Sequence, residues 1–82
     1  MNLPTIGEKV FAFQHKNDRI GETMFLLSTN EHVTTNYATG LAEALEEVCG
    51  TGNQVQVGDE LFEELDTSLA NNLIVWEMKR IR

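Results

Sequence analysis

The shortness of the chain is the strongest constraint on its fold, because 82 residues can bury only one modest core. A domain of this size typically removes roughly 60 to 65% of its unfolded surface from water, so we expect a single domain over residues 1–82. One cysteine cannot form an internal disulfide, which fits a reducing compartment. The apolar runs at 24–27 and 73–76 are far shorter than the roughly 20 residues of a membrane-spanning helix, and no signal-peptide pattern opens the chain. These features predict a soluble, cytoplasmic protein with no membrane contact.

Negative charge is concentrated in the middle of the chain. Thirteen Asp and Glu residues stand against six Lys and Arg, and the formal net charge is -7. No Lys or Arg lies between Ile20 and Met78, an interval that contains eleven acids. Like charges that lie close together repel one another, so such a block costs stability. Two interpretations remain open: the charge keeps a small protein soluble, or it forms an acidic face that meets a basic partner.

Four segments have the pattern of β-strands. Their bounds are 8–15, 23–29, 54–57 and 73–81. The first alternates between two sets of side chains, and we expect the set with Phe11 and Phe13 to be buried. The polar segment 16–19 favours a turn that joins the first two strands as a hairpin.

Two segments have the three- and four-residue apolar spacing of amphipathic helices. The first covers 36–49, with Asn36 or Thr39 as its N-cap and a glycine after its end. The second covers 59–70 and is followed by an Asn-Asn pair at 71–72, because Asn tolerates the left-handed conformation in which many helices end.

This pattern predicts an α+β fold with the element order β-β-α-β-α-β. We expect about four mostly antiparallel strands with both amphipathic helices on one face of the sheet, since each helix has one apolar stripe to bury. The predicted core consists of Val10, Phe11, Phe13, Phe25, Leu27, Leu41, Leu45, Val48, Val55, Val57, Leu61, Phe62, Leu65, Leu69, Ile74, Trp76 and Met78.

The chain lacks the residue patterns of metal, nucleotide and catalytic sites. His15, His32 and Cys49 form no Cys-x-x-Cys or His-Glu-x-x-His arrangement, so we predict no metal and no cofactor. Cys49 falls on the apolar stripe of the first helix, where a cysteine usually packs as a small hydrophobe. The glycines of segment 50–52 are not followed by the Lys-Ser/Thr of a phosphate-binding loop. The cationic cluster at 79–82 is too small a footprint for direct nucleic-acid binding, and we predict that the protein is not an enzyme.

The acids of the two predicted helices are the candidate site. Three carboxylates in each helix follow the spacing i, i+3 and i+4, which places them about 5 to 6 Å apart on one helical face. With two neighbouring aspartates, the predicted partner-binding residues are Glu43, Glu46, Glu47, Asp59, Glu60, Glu63, Glu64 and Asp66.

We therefore expect a non-catalytic acidic binding protein that engages a basic surface of another protein, such as a nucleic-acid-binding protein. Rows of carboxylates suit an inhibitor or nucleic-acid mimic, for example a phage-encoded antagonist of host machinery in the host cytoplasm. Electrostatic steering would make its association fast and dependent on salt. The alternative is a small structural or assembly subunit that forms a homodimer through a strand edge or an apolar patch.

Overall fold

The computed structural model describes residues 3–15, 23–46 and 52–82. In chain order these residues form the strands and helix β1 (Lys9–His15), β2 (Met24–Leu27), α1 (Thr35–Leu45), β3 (Gln54–Val57), β4 (Glu60–Ala70) and β5 (Leu73–Arg80). The strand order in the sheet is β2-β1-β5-β4-β3, and every neighbouring pair is antiparallel. The chain is therefore α+β as predicted, with five strands and one helix in its described part instead of four strands and two helices.

The hydrophobic core lies between α1 and one face of the sheet, which we call the inner face. Strand alternation directs Val10 and Ala12 of β1 to this face, opposite Leu27 and Phe25 of β2. The buried apolar residues are Val10, Ala12, Phe25, Leu27, Val33, Leu41, Ala42, Leu45, Val55, Phe62 and Met78. Three features of the prediction lie outside the described residues: the core position Val48, the packed Cys49 and the turn at 16–19.

β1 has the predicted alternation, but the opposite set of its side chains is buried. Phe11 and Phe13, which we expected in the core, are half-buried on the outer face of the sheet. The side chains that face α1 instead are the smaller Val10 and Ala12, both fully buried. Small side chains allow a helix to approach the sheet closely, whereas two phenylalanine rings would hold it away.

The segment predicted as the second helix is the strand β4. The sequence indicates a helix here because acids and apolar residues do not alternate along the segment. In the structure, the acid Glu64 lies on the inner face opposite Met78. The register then shifts at Leu65, so that Asp66 lies opposite Glu77. A bulge of this kind places an extra residue on one strand and reverses the alternation beyond it. Leu69, predicted in the core, is 58% exposed on the distal part of this strand.

α1 begins earlier than predicted and passes close to β3. Its N-cap is Thr34, in extended conformation at φ -62° and ψ 150°, instead of Asn36 or Thr39. A Cβ atom at Gly40 would lie 3.1 Å from Cγ1 of Val57, which is tighter than ordinary van der Waals contact. The missing side chain at position 40 thus allows the close approach of α1 to β3.

Asn71 and Asn72 form the two-residue turn between β4 and β5. Their φ angles are 52° and 63°, and Ala70 pairs with Leu73 across the turn. Positive φ at both central residues defines a type I′ hairpin turn. The tolerance of Asn for this conformation was the basis of the predicted helix end, but here it serves to reverse a strand.

Replacing both asparagines with alanine should lower the free energy of unfolding by about 1–3 kcal/mol, because alanine is penalised in the left-handed region. Asn72→Gly should not lower it, since Asn-Gly is a favoured type I′ pair. Urea unfolding followed by circular dichroism measures both effects. Asn36→Ala, on the exposed surface of α1, is the matched control. Equal stability of the double-alanine variant and the wild type would contradict the turn geometry.

Candidate acidic groove

Two of the predicted site residues, Glu43 and Glu46, are exposed on α1. Because they are three residues apart, their side chains lie on the same side of the helix. Glu46 occupies the C-cap position, and the last turn of α1 contains no basic residue. Glu47, the third acid of this predicted group, lies outside the described residues. The two described carboxylates therefore lie toward the end of α1 where the helix dipole is itself negative.

β4 distributes the second predicted group of acids over both faces of the sheet. Glu60 and Glu64 are in phase with Phe62 on the inner face, whereas Glu63 lies on the outer face opposite Lys79. Oε1 of Glu60 forms an ion pair with Nη2 of Arg80 at 3.8 Å. The structure therefore corrects the expectation that Glu60, Glu63 and Glu64 share one helical face.

Asp59 and Asp66 are exposed, but they lie on different parts of the sheet. Asp59 is in the turn between β3 and β4. Asp66 is on the outer face opposite Glu77, whose Oε2 is 3.6 Å from Nζ of Lys9. The seven predicted site residues that the structure describes thus do not form one continuous surface, and of these Glu43 and Glu46 line a cavity of appreciable size.

This cavity is a groove of about 620 Å³ between α1 and the edge strand β2, which we call the α1–β2 groove. The exposed carboxylates of Glu43 and Glu46 belong to its lining. Apolar residues from both elements and from the connection between them also line it, namely Met24, Phe25, Val33, Ala38 and Ala42, together with the threonines Thr23, Thr35 and Thr39. Protein pockets commonly combine such apolar walls with a few polar groups that orient a ligand.

Among the residues that the structure describes, neither Lys nor Arg lines the α1–β2 groove. Two basic side chains of the sheet are engaged elsewhere: Lys9 pairs with Glu77, while Arg80 pairs with Glu60 and donates a hydrogen bond to the carbonyl of Pro4 at 2.8 Å. The basic group in the lining is His32, and its Nε2 is 3.3 Å from the sulfur of Met24. Within the described chain, the carboxylates of this groove therefore have no Lys or Arg beside them to neutralise their charge.

A smaller groove of about 280 Å³ follows β3 on the other side of α1, and we call it the α1–β3 groove. Gly40 and Ala44 of α1 and Gln56 of β3 contribute to its lining. Glu43 belongs to the lining of both grooves. A ligand bound in either groove would therefore lie close to the negative charge of Glu43.

Glu64 is a buried carboxylate without a hydrogen-bond partner in the described part of the chain. The residue is 1% exposed, and neither of its carboxyl oxygens has a partner among the described residues. Burial raises the pKa of this carboxyl above the usual value, because removal from water penalises the charged form. Glu64 therefore costs stability at neutral pH and contributes nothing to the exposed acidic surface.

Tyr37 connects α1 to the sheet beside the Glu60–Arg80 ion pair. Its ring meets Phe62 edge to face, with 6.3 Å between the ring centroids and 68° between the planes. Burial, followed by the negative charge of Glu60, raises the pKa of the Tyr37 hydroxyl to about 12. The hydroxyl is therefore protonated at physiological pH and has no role as a base.

The described residues contain no group of three or more His, Cys, Asp and Glu placed to hold a metal ion. Among the same residues, no helix is long and apolar enough to cross a membrane. His15 and His32 belong to different segments, the end of β1 and the bridge that pairs with Leu26. Both grooves, by contrast, contain a predicted site residue in their lining.

Sequence reasoning identified the acids of α1 but missed the groove beside them. Its other side is formed by Met24, Phe25 and Val33, which belong to other segments of the sequence but lie beside α1 in the fold. No spacing in the sequence signals this groove, because it depends on where α1 crosses the sheet.

Comparisons with protein-family models, curated proteins and solved structures gave no match to this chain.

Proposed function

We propose that this chain is a non-catalytic acidic binding protein whose α1–β2 groove receives a basic part of another protein. The observation that carries the proposal is the pairing of two exposed carboxylates, Glu43 and Glu46, with apolar walls and with no lysine or arginine among the described residues of the lining. An Arg or Lys side chain that enters with an apolar neighbour would meet both features. Its alkyl part would contact the walls and its charged end would reach the carboxylates.

The net charge of -7 supports the proposal at longer range. An acidic protein attracts a basic partner before contact, and such steering raises the association rate at low salt. Because the second acidic segment is the strand β4, it removes one of the two rows of helical carboxylates on which nucleic-acid mimicry relied. We therefore propose a local groove for basic side chains in place of an extended imitation of a phosphate backbone.

A pair of matched charge variants tests the proposal. The protein is used as bait at low and high salt, and the captured partner is purified for kinetic measurement. Glu43→Gln with Glu46→Gln should slow association about three- to tenfold at low salt, because two charges at the contact are lost. Glu63→Gln with Asp66→Asn makes the same change in net charge on the outer face and should have a much smaller effect.

The two variants together discriminate between a groove and a simple effect of net charge. An equal loss in both would mean that the partner responds to the overall charge, and this result would exclude the groove as the site. A loss confined to the Glu63 and Asp66 variant would move the site to the outer face of the sheet. Loss of the salt dependence only in the Glu43 and Glu46 variant supports the proposal.

A further inference from the structure

We infer that the α1–β3 groove is a site of β-strand addition, in which an extended segment bearing Lys or Arg pairs with the open edge of β3. Edge strands accept extended peptides because their unpaired N–H and C=O groups are already aligned. The inference rests on the proposed function, since it takes the partner to be basic. It adds a second contact and specifies the conformation of the bound segment.

The hydrogen-bond pattern of β3 shows which of its groups face the open edge. The N–H of Glu64 donates to the carbonyl of Asn53 at 2.9 Å, which marks these residues as a bonded pair. Bonded and non-bonded pairs alternate along an antiparallel ladder, so Val55 directs its backbone groups toward β4. Gln54 and Gln56, which alternate with these residues, direct their N–H and C=O groups to the open edge. Within the described chain, β3 pairs with no strand other than β4.

The two edges of the sheet differ in this respect. Along β2, the N–H of Val33 donates to the carbonyl of Phe25 at 3.2 Å, and the N–H of Leu27 donates to the carbonyl of Glu31 at 2.7 Å. The connection after β2 thus covers that edge. The edge strand β3 has the sequence QVQV and carries none of the charged side chains that usually protect an exposed edge. In the described sheet, β3 is therefore the edge that favours strand addition.

Charge selects a basic segment as the occupant. Glu43 lines the groove, Asp59 is exposed in the turn that follows β3, and the described part of the lining contains no Lys or Arg. A second copy of this chain would bring its own acids close to these acids, and the two copies, each with a net charge of -7, would repel one another. A segment with Lys or Arg at alternate positions would direct its cations toward the carboxylates while its backbone pairs with β3.

Nuclear magnetic resonance titration of the full chain tests this inference with a defined probe. The probe is the peptide acetyl-Lys-Val-Lys-Val-Lys-amide, and the control has the same residues with N-methyl groups on both valines. The two peptides carry equal charge, but the methylated valines of the control cannot donate to β3 in the register that directs the lysines toward Glu43. The amide resonances of Gln54 and Gln56 should shift, and their hydrogen exchange should slow, with the first peptide only. Chemical shifts at Glu46 report separately on the α1–β2 groove.

Gln56→Pro removes one open-edge donor and leaves the donors that pair with β4, since proline is tolerated on edge strands. It should weaken binding of the first peptide about three- to tenfold, the effect of losing one neutral hydrogen bond. If this variant does not fold, the N-methylated peptide still decides the question. Unchanged Gln54 and Gln56 resonances overturn the inference, and shifts at Glu46 in that case leave the proposed function standing. Shifts at Gln54 and Gln56 that appear with protein concentration alone would indicate a second copy and also overturn it.

Discussion

Replacing Phe62 with alanine is expected to lower the free energy of unfolding by about 3–5 kcal/mol, the range seen for large core truncations. Phe62 is fully buried, lies opposite Val55 in the sheet and contacts the ring of Tyr37 on α1. Its loss would leave a cavity where the helix meets two strands. A chain of this length has a total stability of about 4–12 kcal/mol, so the variant would be largely unfolded at the low end of that range.

Urea unfolding followed by tryptophan fluorescence measures this effect, and Leu69→Ala is the matched control. Leu69 lies on the same strand and is 58% exposed, so its truncation should change the unfolding free energy by less than about 0.5 kcal/mol. The two variants also separate the strand from the predicted helix, since an amphipathic helix over 59–70 would bury both residues on one stripe. Equal destabilisation by the two substitutions would contradict the observed β4.

Glu64→Met is expected to raise the free energy of unfolding by about 1–4 kcal/mol at pH 7, the range seen when buried ion pairs are replaced with apolar residues of similar volume. The carboxylate is 1% exposed and has no hydrogen-bond partner among the described residues. Methionine has a similar length and replaces the polar group with one that suits the core. For a domain of this size, each kcal/mol corresponds to a rise of roughly 4–8 °C in Tm.

The gain from Glu64→Met should depend on pH in a defined direction. Burial raises the pKa of Glu64 above its ordinary value of 4.5, so the folded chain holds this proton more tightly than the unfolded chain. The stabilisation from this proton is complete below pH 4.5, and it is lost as the pH rises through the folded-state pKa. The difference between variant and wild type should therefore be smaller at pH 4 than at pH 7. Glu63→Met, on the outer face, is the control, and a difference independent of pH would mean that Glu64 does not titrate.

Most of the secondary structure follows from the sequence, because most segments present one clear period. The strands at β1, β2, β3 and β5 and the helix α1 lie where alternation or three- and four-residue spacing predicts them. β4 differs because two of its residues break the strand pattern. Glu64 places an acid on the inner face, and the extra residue at Leu65 reverses the alternation. Helical spacing therefore fits the sequence of this segment better than strand spacing does.

The candidate site was only partly predictable for a related reason. Exposure of Glu43 and Glu46 follows from the polar side of α1, a local property of eleven residues. The groove beside them depends on Val33 and Phe25, which α1 meets only because β2 lies at the edge of the sheet. Spacing within one element cannot predict a cavity formed between two elements. The same limit applies to Phe11 and Phe13, whose face is decided by where the helix packs.

The central position of β5 has a consequence for the order of folding. β1 and β2 form one antiparallel pair, β3 and β4 form another, and in the described sheet β5 alone joins them, with β1 on one side and β4 on the other. During synthesis, a nascent chain that has not yet reached Leu73 can form two hairpins but not the sheet. Pairing of β1 with β5 also closes a loop of more than 50 residues, which slows folding through its entropy cost. We therefore expect the incomplete chain to expose both apolar strand pairs to chaperones until the last strand leaves the ribosome.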